Sequence, residues 1–156
     1  MNQLGLPISL DSKTLLDNFL GNKQLLDFIA QLYVDKSSGE IYVYGSTGLG
    51  KTHLLQGATL RALSDQQSAM YIDCDNSLPE HVLESIEQLN WISIDNIDAI
   101  NDNQQDLFFD LYNRAKQAKV SMIISGSDLP SELGVMKDLK TRFSLATIFR
   151  LQPLDD

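Results

Sequence analysis

Gly45-Ser46-Thr47-Gly48-Leu49-Gly50-Lys51-Thr52 fills the pattern G-x-x-x-x-G-K-[ST] at every fixed position. The chemistry of such a run is the holding of a polyphosphate. Its glycines let the backbone turn N–H groups inward around an anion, and a following helix adds its positive end. Lys51 would sit between the β- and γ-phosphates of a nucleotide and the Thr52 hydroxyl would ligate a bridging Mg²⁺, with His53 continuing the nucleotide-contacting run. ADP or ATP with Mg²⁺ is the expected cofactor. The local context agrees: Ile41-Tyr42-Val43-Tyr44 reads as a buried strand, and Leu54, Leu55, Ala58 and Ala62 recur at helical spacing after the loop.

Three further groups carry chemistry. Asp95 closes the apolar run Ile92-Ser93-Ile94, and a carboxylate at the end of such a strand can hold Mg²⁺ directly or through water. The next position commonly carries an acid that activates water; here it is Asn96, which can hydrogen-bond water but cannot take its proton, so slow hydrolysis or none is expected. Ser127 and Asp128 follow another apolar strand, where either could sense a γ-phosphate or cap the short helix begun by Pro130 and Ser131. Arg142, in Asp138-Leu139-Lys140-Thr141-Arg142-Phe143, could reach a nucleotide on a neighbouring molecule, or could be a solvated surface arginine.

These groups need a scaffold that gathers strand ends. Ala69–Ile72, Trp91–Ile94, Val120–Ile124 and Ala146–Leu151 read as four more strands. Between them, Pro79–Leu89 is helical by pattern, and a longer helix over Gln104–Ala118 would bury Leu107, Phe108, Leu111, Tyr112 and Ala115. Ahead of the first strand, Leu25, Leu26, Ile29, Leu32 and Tyr33 share one helical face, ended by Lys36-Ser37-Ser38-Gly39. Strands alternating with helices predict an α/β fold, a mostly parallel five-stranded sheet with helices on both faces. Asn18, Phe19 and Leu20, just before it, would either line an adenine pocket or serve packing alone.

The 156 residues, 43% of them apolar, suffice for one such domain. A net charge of −9 repels nucleic acid, so no direct DNA contact is expected. The single cysteine, Cys74, excludes an internal disulfide and reads as core filler in a reducing cytoplasm. No signal peptide or membrane-crossing run is visible, so no membrane association is expected. Residues 1–11 read as an extended tail before a nucleotide-binding domain over 12–156. Gln3, Leu4, Leu6, Pro7 and Ile8 on that tail could dock extended, the aliphatic residues in a partner's pocket and the glutamine at its rim. The segment resembles the peptide with which bacterial proteins attach to the sliding clamp of DNA polymerase III.

Gly45 to Leu55, Ile94-Asp95-Asn96-Ile97, Phe109-Asp110-Leu111-Tyr112-Asn113-Arg114, the Asp138 to Phe143 segment and Leu151-Gln152-Pro153-Leu154 together resemble the AAA+ module of the DnaA family of bacterial replication initiators. The Asp95-Asn96 pair and the tail resemble more closely the small regulatory homologues of the Hda type. That resemblance implies a P-loop AAA+ domain holding a nucleotide, usually ADP, attached to the clamp through Gln3, Leu4, Leu6, Pro7 and Ile8. It further implies DnaA as partner, with Arg142 as an arginine finger that drives hydrolysis of DnaA-bound ATP in trans. The sequence ends at Asp156, where the family continues into a helical lid, so the domain is expected without its lid, either as a truncated product or as a lidless relative. Two other classes stay open: an ATPase of initiator or helicase-loader type, and an interaction module whose nucleotide is only structural. A homo-oligomer is open as well.

Overall fold

The computed structural model describes residues 23–35, 39–45, 50–76, 78, 81, 83–135 and 137–151. The elements are α1 (Lys23–Asp35), β1 (Glu40–Tyr44), α2 (Lys51–Ser64), β2 (Ala69–Asp73), β3 (Trp91–Asp95), α3 (Gln105–Gln117), β4 (Ser121–Gly126), α4 (Lys137–Phe143) and β5 (Thr147–Arg150). All five strands are parallel, in the order β2-β3-β4-β1-β5. The α/β fold expected from the alternation of patterns is the one observed.

The inner strands β3 and β4 are buried along their whole length and β1 at its three middle residues, because both faces are covered there, whereas the edge strand β5 is largely exposed. Successive side chains point to opposite faces, so Ile41 and Val43 pack with Leu25 and Ile29 of α1 and with Leu54, Leu55, Ala58 and Ala62 of α2. Tyr42 points the other way, among Phe108, Leu111 and Tyr112 of α3 and Leu139 and Phe143 of α4. Phe143 centres the second layer: its ring stacks on Tyr42 at 5.8 Å and meets Tyr112 edge-on at 5.5 Å and Phe108 at 6.2 Å. A buried polar link ties α2 to β3, since Thr59 Oγ1 lies 2.7 Å from Ser93 Oγ, which also accepts the Trp91 indole N–H at 2.8 Å. That link fixes the helix carrying Lys51 and Thr52 against the strand carrying Asp95.

One local expectation changes. Residues expected to be helical from Pro79 to Leu89 form, among those described, turns and a 3₁₀ segment at Ile86–Gln88. Ile86 is fully buried there, Leu83 is only half-buried, and Glu84, Ser85, Glu87 and Gln88 are exposed. An apolar stripe that short gives an isolated helix too little packing to offset nucleation. Cys74 lies one residue past β2 and is buried, and burial, aided by the charges of Asp73, Asp95 and Asp98, pushes its thiol up to about 12.

Candidate functional site

Gly50 sits at φ 86°, a left-handed conformation that glycine adopts at little cost, and α2 begins at the next residue. Residues 46–49, including Ser46, Thr47, Gly48 and Leu49, lie outside the described residues, as do Asn18, Phe19 and the tail residues Gln3 to Ile8. The flanks of the loop are described. Lys51 Nζ donates to the Gly45 carbonyl at 2.6 Å, so the ammonium spans the two ends of the loop. Burial lowers its pKa, while the charges of Asp98 and Asp95 act in the opposite sense. Thr52 Oγ1 donates to Asp95 Oδ2 at 2.8 Å, joining the first turn of α2 to the end of β3. His53 is exposed beside them.

Asp95 is fully buried and its carboxylate accepts from more than Thr52. Tyr71 in β2 donates its hydroxyl to Oδ2 at 2.6 Å, and Ser125 in β4 donates to Oδ1 at 2.5 Å. Burial, followed by the bond to Asp95, pushes the Tyr71 phenol far above its ordinary range, so it remains a donor. Asn96 stands at φ 56°, donates its backbone N–H to Ser125 Oγ at 3.0 Å and its side-chain amide to Asp73 Oδ1 at 2.9 Å. Tyr71, Asp73 and Ser125 were not singled out as Asp95 and Asn96 partners by sequence. Only the parallel register, which sets Asp73 beside Asp95 and Ile94 beside Ile124, reveals them.

Ser127 and Asp128 are both exposed. Ser127 donates its hydroxyl to Asp98 Oδ2 at 3.1 Å and its N–H to Asp98 Oδ1 at 3.3 Å, while Asp128 Oδ1 accepts the Leu129 N–H at 2.9 Å ahead of the Pro130–Glu132 turn. The Tyr42 hydroxyl donates to the Asp128 carbonyl at 2.6 Å and holds this loop to β1. A Cβ at Gly126 would come within 2.1 Å of that hydroxyl, so only glycine fits.

These residues fit a magnesium nucleotide. A cation shared with phosphates takes one or two protein oxygens and keeps several waters, and Thr52 with Asp95 supplies that donor set beside the Lys51 ammonium. Among the described residues there is no group of three or more histidines, cysteines, aspartates or glutamates that would hold a metal unaided.

Arg142 does not join this cluster. It lies in the last turn of α4, half-buried, with its guanidinium carbon 5.9 Å from the centre of the Phe109 ring. The Tyr112 hydroxyl donates to the Glu40 carboxylate and lies 3.4 Å from the Arg142 carbonyl. Glu40 opens β1 and Gly45 follows its close, so the Arg142 backbone lies by the opposite end of β1 from Gly45 and Lys51. At a rise of ~3.3 Å per residue, β1 alone separates the two ends by roughly 13 Å.

Comparison with known proteins reaches the same fold. The model of the bacterial DnaA ATPase domain matches residues 10–149. The chain belongs to that family. An uncharacterized protein of Haemophilus influenzae is 35% identical over 162 residues, covering 99% of this chain and 70% of that one. Among solved structures, the replication initiator DnaA bound to AMPPCP and single-stranded DNA superposes with a TM-score of 0.81 at 24% identity, covering 95% of this chain and 52% of that one. A solution structure of a Neisseria meningitidis protein gives 0.59 at 26% identity, covering 80% and 83%. This DnaA-family AAA+ domain is thus related to replication initiation proteins, and it spans about half the length of the DnaA chains it matches.

Proposed function

We propose that this DnaA-family domain is a nucleotide-binding regulator of replication initiation of the Hda type, which stimulates hydrolysis of DnaA-bound ATP by presenting Arg142 in trans. The observation that carries the reading is the placement of the Arg142 backbone by the end of β1 away from the domain's own Lys51, Thr52 and Asp95. A guanidinium carried by backbone near the start of β1 would be presented to a neighbour's nucleotide rather than to the domain's own. Asn96 supports the same division of labour, because its amide is held by Asp73 and cannot accept a proton from water.

In this reading the loop Gly45 to Thr52 and Asp95 hold ADP or ATP with Mg²⁺, which supplies charge neutralisation between phosphates. Lys51 binds the phosphates, and Thr52 and Asp95 orient the cation. Residues 1–11 attach the domain 12–156 to the sliding clamp through Gln3, Leu4, Leu6, Pro7 and Ile8. The test is to add this protein and DNA-loaded clamp to ATP-bound DnaA. Wild type accelerates hydrolysis; Arg142→Ala loses ~10³-fold or more of the stimulated rate, ~4 kcal/mol of barrier, and deleting residues 1–11 removes dependence on the clamp. No acceleration by the wild type rejects the proposal.

A second reading, an ATPase of initiator or helicase-loader type, is favoured by the complete Lys51, Thr52 and Asp95 set. It requires magnesium-dependent turnover by the isolated protein that Lys51→Ala abolishes.

A further inference from the structure

The Asp95 carboxylate receives hydroxyl protons from three elements: Thr52 at the start of α2 and Tyr71 in β2 on Oδ2, and Ser125 in β4 on Oδ1. A carboxylate offers roughly four acceptor sites, so three hydroxyls leave about one, on Oδ1. Thr52 has its own task at a cation, and Ser125 also accepts the Asn96 N–H. Tyr71 has no cation to serve, and its oxygen also takes a hydrogen bond from the Gln56 side chain, which holds the phenol in place. Its ring packs against the apolar layer beneath α2, and its oxygen reaches a carboxylate that is 0% exposed.

From this geometry we infer that Tyr71 is a positioning residue for the magnesium site, its hydroxyl locking the Asp95 carboxylate beside Thr52, the two residues that would hold the cation. The inference rests on the magnesium-nucleotide reading above. Without the phenol, the Asp95 side chain loses one of its two constraints on Oδ2, and the other is a hydroxyl that must also serve the cation. The carboxylate then samples orientations in which its open acceptor is misdirected. Ligands held by such outer partners lose about 10- to 100-fold in metal affinity when the partner is removed.

The test measures ADP affinity of the full chain by calorimetry, in EDTA and across a magnesium titration. Tyr71→Phe keeps the ring and its packing. It is expected to bind ADP in EDTA as the wild type does, but to need about tenfold more Mg²⁺ for half of the magnesium-linked gain. Ser125→Ala, which loosens the same carboxylate from its other oxygen, shifts the titration in the same direction. Asp95→Asn loses the gain altogether. Tyr71→Phe with the wild-type magnesium requirement, or a lower one because the phenol had been competing with metal-bound water, overturns the inference. A wild type that binds ADP without any magnesium-linked gain overturns it as well and leaves nucleotide binding standing. A wild type that binds no nucleotide overturns both.

Discussion

Asn96 occupies the left-handed region at φ 56°, which asparagine tolerates better than most residues, and its amide donates to Asp73 Oδ1 at 2.9 Å. The pairing explains why an acid is unsuited to this position. Asn96→Asp would replace a donor with a second carboxylate at hydrogen-bonding distance from Asp73, and like charges so close oppose ionisation of both. Asn96→Asp is expected to lower unfolding stability by about 1–3 kcal/mol in urea melts near neutral pH. Asp73→Asn added to it restores a donor and recovers most of the loss. A double variant no more stable than the single one would show that the Asp73–Asn96 bond is not the cause. Asp95 itself is legible in the sequence, because an aspartate ending an apolar run after a phosphate loop has few other readings. Its partners are not. Tyr71 and Ser125 lie 24 and 30 positions away from it, Asp73 lies 23 from the Asn96 it holds, and no local spacing encodes which strands become neighbours.

At the scale of elements, the strands and the long helix were readable because their side-chain period follows from burial: unbroken apolar runs for strands covered on both faces, and a 3.6-residue stripe for Phe108, Leu111, Tyr112 and Ala115. The stretch before β3 patterns as a helix, but among its described residues the buried stripe is too short to hold one. The short α4 is the converse case. Its seven residues would not be stable alone, and what holds them is Leu139 and Phe143, both fully buried. Phe143 neighbours Arg142 in the chain, so the aromatic cluster of Tyr42, Phe108 and Tyr112 that grips Phe143 also sets where the guanidinium emerges. Phe143→Ala is expected to cost about 3–5 kcal/mol in denaturant melts. Arg142→Ala, which loses at most the contact over Phe109 at a half-buried site, is expected to cost under about 1 kcal/mol. Comparable losses in the two variants would mean that Arg142 serves the fold itself.

For the molecule as a whole, the sheet separates two surfaces. Lys51, Thr52, Asp95 and Asn96 gather at the carboxyl ends of the strands, and Arg142 at the amino end, with the buried layers between them. The net charge of −9 disfavours a nucleic-acid partner, and on the reading proposed above nucleotide occupies one surface and a protein partner the other. The two surfaces should then fail independently. A ligand at 100 times its dissociation constant stabilises the folded state by ~2.7 kcal/mol, a rise of very roughly 5–11 °C in Tm for a domain of this size. Magnesium with ADP should produce that rise in the wild type and in Arg142→Ala alike, and none in Lys51→Ala, because the ammonium that would meet the phosphates is gone. If Arg142→Ala lost the thermal shift as fully as Lys51→Ala, the arginine would have to act on the domain's own nucleotide, and the separation of the two ends on which the trans reading stands would be wrong.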